Sequence, residues 1–358
     1  VKQGDLNGKE KQIDQIFVKR LLYWNKKDNK REMPWKGEKD PYKIWLSEII
    51  LQQTRVEQGL KYYENFITAF PNIQALANAP DEKVFKLWEG LGYYSRCRNI
   101  LATARHICRN LEGEFPKDHA SILQLKGVGP YTAAAIASFA YNLPFAVVDG
   151  NVFRILSRVF DIETPVDSTQ GKKEINTIAQ ELLPLKRAGE YNQAIMDFGA
   201  LVCKPSPECS QCFLNDLCKA YLVGKQQLLP VKEKRIAIKE RWFNYVVVKY
   251  KNEIAVHKRN EKDIWQQLFE FALIETAERY NTRQVLQLFE KQFGISEYTV
   301  QDTPTENTQK LTHQLIHFRF ITISLPRKQP IPHCNWISID NMHALAFPRS
   351  LKKFVETL

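Results

Sequence analysis

Apolar residues in the first two thirds of the chain recur at three- and four-residue spacing, the period of helices with one buried face. Ile13, Ile16, Phe17, Leu21 and Tyr23 or Trp24 mark the first such face, reached through a polar arm within residues 1–30. Met33-Pro34-Trp35-Lys36 breaks it, and Asp40-Pro41 opens a second helix with a cap residue followed by proline at the first helical position. That helix carries Ile44, Trp45, Glu48, Ile49 and Leu51, and a third runs through Tyr62, Tyr63, Phe66 and Phe70. Ile122, Leu123 and Leu125, then the small-residue run 133–140, predict two helices joined by Lys126-Gly127-Val128-Gly129-Pro130. A further helix is predicted over 152–160, and 161–202 continue in the same way.

The pattern lapses between 223 and 240, where Gly224-Lys225-Gln226-Gln227, Pro230 and a charged stretch read as a linker. Beyond it the period shortens. Residues 243–250 and 253–257 predict two strands around a turn at Lys251-Asn252, and 311–325 one long strand or a strand pair. Helices are predicted over 282–293, ending at Gly294, and over 348–357. An all-α domain over 1–222 is therefore expected to precede a smaller α+β domain over 241–358, with no internal repeat.

Within the helical part, several features carry chemistry. Glu48 lies three residues from Trp45 and Leu51 and four from Ile44, so it belongs to the apolar face. A buried carboxyl there is either satisfied by an ion pair or hydrogen bond, or serves as a general acid whose pKa burial has raised. Asp149, in Val148-Asp149-Gly150-Asn151-Val152, reads as a helix N-cap, and capping is expected to keep it ionised. One high-pKa and one low-pKa carboxyl suit the cleavage of a glycosidic-type bond.

The two glycines of Gly127-Val128-Gly129 are expected to take backbone angles closed to other residues and to leave N–H groups at a helix start open to a phosphate. The glycines alone would equally describe a plain helix connection. A second glycine turn, Gly90-Leu91-Gly92-Tyr93-Tyr94-Ser95-Arg96, brings aromatic and basic residues together, as a groove holding a stacked base requires, although such tyrosines also simply pack. Cys203, Cys209, Cys212 and Cys218, spaced C-x5-C-x2-C-x5-C, read as one metal centre, either zinc or, because a single C-x2-C sits between wider arms, an iron–sulfur cluster. Cys97, Cys108 and Cys334 stand apart as ordinary thiols.

Charge sharpens the choice of partner. The 358 residues carry 51 Lys and Arg against 40 Asp and Glu, a net +11 with a pI near 9.2, which favours a polyanion over an acidic small molecule. A membrane-spanning run and a signal-like start are both absent from this pattern, so a soluble, cytoplasmic protein is expected.

Taken together, these motifs resemble the MutY-type adenine DNA glycosylases of the helix-hairpin-helix superfamily, which also includes endonuclease III. Pro34-Trp35, Leu46-Ser47-Glu48-Ile49-Ile50-Leu51-Gln52-Gln53-Thr54-Arg55-Val56, Gly90 to Arg96, Pro130-Tyr131-Thr132, Val148 to Val152 and the four cysteines carry the resemblance. It implies a helix-hairpin-helix glycosylase domain with an iron–sulfur loop at 203–218, followed by a Nudix-like lesion-recognition domain. The implied reaction is removal of adenine opposite 8-oxoguanine or guanine in double-stranded DNA, leaving an abasic site, by a monomeric, nucleoid-associated bacterial enzyme. Glu48 resembles the acid that protonates adenine and Asp149 the carboxylate facing the sugar cation, with Tyr131 and Asn151 orienting them. Gln53 and Tyr93 resemble duplex wedges. Leu311-Thr312-His313 resembles the loop that checks for 8-oxoguanine, and DNA contacts are implied for Lys36, Arg96, Lys126, Gly127, Val128 and Gly129. The implied cofactor is a [4Fe–4S] cluster without a redox role in base removal.

Departures from the family pattern refine these expectations. Tyr131 stands where bifunctional relatives carry the Schiff-base lysine, so strand cleavage is expected to be absent or weak. The Nudix catalytic box is missing, so that module should recognise rather than hydrolyse. Lys126 replaces a usual proline, Lys36 a common arginine, Gln193 a glutamate of some relatives, and Leu311 and Thr312 the commoner phenylalanine and serine; the first cysteine interval is one residue short. The rival readings are a bifunctional pyrimidine glycosylase with lyase activity and a catalytically silent damage-binding protein.

Overall fold

The computed structural model describes residues 3–233, 238–301 and 304–358, with 3–12 by backbone alone. Helices dominate the first two thirds: α1 (Gln3–Lys27), α2 (Pro41–Leu51), α3 (Val56–Ala69), α4 (Ile73–Ala77), α5 (Asp81–Trp88), α6 (Tyr94–Asn110), α7 (His119–Leu123), α8 (Pro130–Tyr141), α9 (Gly150–Phe160), α10 (Thr169–Leu182), α11 (Ala188–Leu201) and α12 (Lys219–Leu222). The remainder is mixed: β1 (Lys239–Tyr250), β2 (Glu253–Lys258), β3 (Phe269–Glu270), β4 (Ala272–Thr276), α13 (Thr282–Phe293), β5 (Thr299–Val300), β6 (Thr305–Lys310), β7 (Gln314–Ser324), β8 (Asn335–Ser338) and α14 (Arg349–Val355). The expected all-α part followed by an α+β part is what the chain forms.

Two compact units share the chain: Val1–Ala77 with Ala102–Lys234, and Asn78–Leu101 with Arg235–Leu358. The second unit is thus discontinuous, which hydrophobic periodicity could not have indicated. In the first unit, Phe17 and Leu21 of α1, Ile155 and Leu156 of α9, Ile175 of α10 and Ala194, Ile195 and Phe198 of α11 form one core, each at most 1 % exposed. The cysteine loop is tied into it by Leu214, also 1 % exposed. Helix α2 packs on α8, whose Ala133, Ala135, Ile136 and Ala137 are fully buried; small side chains let the two backbones approach closely.

In the second unit, β1 and β7 run parallel through eleven paired positions from Lys239↔Gln314 to Lys249↔Ser324, with β4 and β2 antiparallel to β1, and β6 and β5 antiparallel to β7. Helix α13 covers one sheet face, burying Val285, Leu286 and Phe289 with Val246, Val248, Ile321 and Ile323. Tyr245, Phe318 and Phe320 alternate to the other face, where Phe320 stacks on Phe354 of α14 at 4.3 Å between ring centroids.

Three boundaries differ from expectation. The first helix already begins at Gln3, so the polar arm is itself helical: its charged residues suit a helix as well as a coil. The long apolar stretch after 311 becomes a strand only from Gln314, and it pairs with a polar strand, β6, whose exposed side chains gave no apolar alternation to read. Of the linker expected at 223–240, residues 234–237 lie outside the described residues, and β1 starts within its last two positions. Among the described residues, no helix is long and apolar enough to cross a membrane.

Candidate active site

Glu48 projects from the buried stretch of α2 and is 7 % exposed. The Asp40 cap fixes the start of that helix, its carboxylate accepting from the Tyr42 N–H at 2.9 Å. Burial pushes the Glu48 carboxyl up to about 7; a hydrogen bond from the Tyr131 hydroxyl opposes the rise, and the charge of Asp149 adds to it. Tyr131 is the second residue of α8, next to Pro130, and burial together with the two carboxyls raises its phenol well above the ordinary value. It is therefore a neutral donor.

Asp149 caps α9. Its Oδ1 accepts from the Val152 N–H at 2.8 Å and its Oδ2 from Asn151 Nδ2 at 2.8 Å. Asn151 is itself held, its Oδ1 accepting from Arg154 at 2.8 Å, while the same guanidinium donates to the carbonyls of Gly199 and Cys203. Gly199 of α11 is required here: a Cβ at that position would stand 2.5 Å from the Cβ of Asn151. Arg154 and Gly199 escaped sequence reading, because an arginine on an exposed-looking helix turn and a mid-helix glycine carry no chemical signature.

The expectation that Asp149 has a low pKa is corrected. Burial raises its carboxyl above the ordinary value, and the bonds from Val152 and Asn151, with the more distant charge of Arg154, only offset part of that rise. The asymmetry of the pair survives in another form. Two donors and the charge of Arg154 favour the anionic form of Asp149, whereas at Glu48 the Tyr131 hydroxyl opposes a larger rise from burial.

Both carboxyls, Tyr131 and Asn151 line one cleft of about 440 Å³, together with Gln53 and Gln193. Gln53 follows α2 in the left-handed region, φ +56°. Lys36 also belongs to the first unit but turns inward, its ammonium 3.0 Å from Asp197, which is fully buried and also pairs with Arg31 at 2.8 Å. Lys36, expected to contact DNA, is thus also the partner of a buried carboxylate, its own side chain 25 % exposed. Asp197 was missed because nothing in its surroundings in sequence distinguishes it.

The hairpin forms between α7, capped by Asp118, and α8. Only Gly127 needs glycine's freedom, at φ +80°; Gly129 has an ordinary extended backbone, φ −96°, correcting the expectation that both are strained. A Cβ at Gly129 would meet nothing within 4 Å, so its backbone faces open space beside the start of α8. Val128 is buried, and Lys126 is exposed while its carbonyl accepts from Thr103 at 2.8 Å.

Tyr93 lies in the second unit, 44 % exposed and left-handed at φ +48°. Its hydroxyl and that of Thr312 share a hydrogen bond of 2.5 Å. Leu311, Thr312 and His313 make the turn between β6 and β7, closed by the Leu311 N–H on the Gln314 carbonyl at 2.7 Å. Arg96, expected to contact DNA, is 8 % exposed, lies over the Trp88 ring and donates to the Gly92 carbonyl at 3.3 Å, bracing the Tyr93 turn.

The four clustered cysteines line one small cavity with Arg158. Among the described residues no group of three or more His, Cys, Asp or Glu is gathered closely enough to hold a metal ion. Arg158, 2 % exposed, donates to Cys203 Sγ at 3.5 Å and to the carbonyls of Leu229, Lys204 and Pro205, and the Leu214 N–H points at Cys212 Sγ at 3.5 Å.

Comparison with known proteins matches this architecture. Residues 46–185 fit the model of the HhH-GPD superfamily of base excision DNA repair proteins, and 244–357 that of the NUDIX domain. The adenine DNA glycosylase of Buchnera aphidicola subsp. Schizaphis graminum is 32 % identical over 95 % of this chain and 98 % of its own. The mouse adenine DNA glycosylase is 41 % identical over 57 % of this chain and 42 % of its own. A solved thermostable thymine-DNA glycosylase, 28 % identical, superposes with a TM-score of 0.56 over 60 % of this chain and 99 % of its own. With a relative aligned almost end to end and both component domains matched, the chain belongs to the adenine DNA glycosylases, helix-hairpin-helix enzymes with a Nudix-like second domain.

Proposed function

We propose that this enzyme removes adenine paired with 8-oxoguanine or guanine in double-stranded DNA and leaves an abasic site without cutting the strand. The observation that carries the reading is the buried Glu48 carboxyl, raised to about 7, in one cleft with Asp149. Glu48 gives its proton to a ring nitrogen of adenine, the N-glycosidic bond breaks with its electron pair moving into the purine, and Asp149 stabilises the sugar cation. Water then adds to the sugar carbon and loses a proton. Asn151 and Arg154 hold Asp149, and Tyr131 orients Glu48.

Tyr131 is also the reason for expecting no lyase step, since a phenol cannot form an imine with the sugar. Adenine must leave the stack to reach the cleft; Gln53 and Tyr93 are read as the side chains that fill the duplex, and Thr312 and His313 as contacts to the opposite base. The exposed Lys126 and the open backbone at Gly129 suit a phosphate. Cys203, Cys209, Cys212 and Cys218 are read as holding a [4Fe–4S] cluster. The donor set supports this: the four sulfurs line one small cavity, where Arg158 and the Leu214 N–H donate to Cys203 and Cys212. Such a cluster would brace the 203–218 loop and take no part in base removal.

The test is base release from duplexes carrying A opposite 8-oxoguanine, A opposite G and T opposite G, for wild type and Glu48→Gln. Adenine release from the first two, abolished in the variant, supports the reading. Thymine release, borohydride trapping on DNA, or binding without any base release would overturn it in favour of a thymine glycosylase, a lyase or a silent binder respectively.

A further inference from the structure

The stretch that bears Tyr93 is sharply bent, and within it the Gly92 carbonyl accepts from Trp88 Nε1 at 3.0 Å and from Arg96 at 3.3 Å. Gly90, Gly92 and Tyr93 all take positive φ (+93°, +76° and +48°), so three of four consecutive residues sit in the left-handed region. Residues distant in sequence hold it as well. Glu89, the residue immediately before it, is 8 % exposed, with its side chain only 3 % exposed, and closes the end of α5. Its carboxylate accepts from Lys86 Nζ at 3.0 Å, from the Phe347 N–H at 3.0 Å and from Lys352 Nζ at 2.7 Å. Lys86 donates in addition to the Leu345 carbonyl at 2.9 Å. The turn is therefore gripped at its base by residues 345–352 and at its tip by the hydrogen bond between Tyr93 and Thr312.

We infer that Glu89 is a positioning residue for base-pair discrimination: clasped to Phe347 and Lys352, it sets where the Tyr93 ring stands relative to Thr312. A buried carboxylate with three donors is a rigid joint, because removing it leaves the Phe347 N–H without its acceptor and two ammonium groups without their shared anion. The inference rests on the proposed mispair specificity and deepens it. The role is one of positioning, exercised through Tyr93.

The experiment uses the full chain and compares wild type, Glu89→Ala, Glu89→Gln and Lys352→Met in single-turnover adenine release opposite 8-oxoguanine and opposite guanine, with amide exchange across 90–95 and 130–141. The expected result is a fall of about tenfold in the 8-oxoguanine-to-guanine rate ratio for Glu89→Ala, and a smaller one for Lys352→Met. Glu89→Gln, which keeps an acceptor for Phe347, should recover most of the ratio. Exchange should quicken at 90–95 and not at 130–141. An unchanged ratio in Glu89→Ala overturns the inference even if exchange quickens, because the clasp would then be structural only. If that variant does not fold, an unchanged ratio in Lys352→Met, whose lysine is 43 % exposed, overturns it instead. Should wild type release no adenine from either duplex, the functional proposal fails, the discrimination role fails with it, and exchange alone decides whether the clasp holds the turn.

Discussion

The Tyr131 hydroxyl is hydrogen-bonded to the Glu48 carboxyl, and this is the one contact that lowers the pKa of a group which burial and Asp149 both raise. Tyr131→Phe should therefore move the Glu48 pKa further up. In the pH profile of adenine release, activity declines as pH rises through the pKa of the acid, so the falling limb should shift to higher pH in the variant. A limb that stays in place would mean that the phenol does not act on this carboxyl.

Glu48 also makes stability depend on pH, with a definite sign. Its folded-state value of about 7 lies above the ordinary 4.5, so the folded state holds the proton more tightly and loses stability as pH climbs from 4.5 to about 7. Glu48→Gln removes that cost. The advantage of the variant in unfolding free energy should be larger at about pH 8 than at about pH 5, by an amount on the order of 3 kcal/mol at most. Equal offsets at the two pH values would contradict a buried, titrating Glu48.

For Asp149 the cap and the chemistry can be separated. Asp149→Asn keeps an oxygen to accept from Val152, whereas Asp149→Ala loses the cap and about 1 kcal/mol. Both variants should lose adenine release by about a hundredfold or more, because neither carries the anion. Denaturant melts and single-turnover rates measured together test this; if Asp149→Asn were to retain near wild-type rates, the electrostatic role would be gone.

Gly199→Ala should harm the site without touching it. The added methyl would meet the Cβ of Asn151, so α9 or α11 must shift, at roughly 1–3 kcal/mol. Asn151 is the side-chain donor on Asp149, so kcat should drop along with Tm. A variant with the same Tm loss and an unchanged kcat would show that Asn151 is free to follow the displacement.

Arg158→Met should loosen the cysteine loop. It removes the donors for three carbonyls and a sulfur from a fully enclosed position, a loss of about 3 kcal/mol or more. If a [4Fe–4S] cluster is bound, its visible absorbance should bleach faster in the variant on exposure to chelator. Equal bleaching rates would remove Arg158 from any part in holding the group.

What the sequence made legible was local. The Asp40 and Asp149 caps, the helix over 282–293 with its Gly294 stop, and the burial of Glu48 each follow from a few neighbouring residues, and all are found. What it hid was set by tertiary packing. The pKa of Asp149 depends on how deeply α9 is covered, the pairing of Lys36 with Asp197 spans more than 150 positions, and the inward turn of Arg96 depends on Trp88 lying beneath it. Strand β6 was invisible because an exposed edge partner needs no apolar alternation.

The division of the chain into interleaved units bears on how it can be cut. Since 78–101 group with the C-terminal part, no single cleavage point separates the two units. A truncation at the 223–240 stretch would strip Glu89 of Phe347 and Lys352 and uncover the surface around the Tyr93 turn. The shortened protein would consequently be a damaged enzyme rather than an isolated catalytic module, and any loss of lesion preference in it would report on its own torn edge as much as on the missing half.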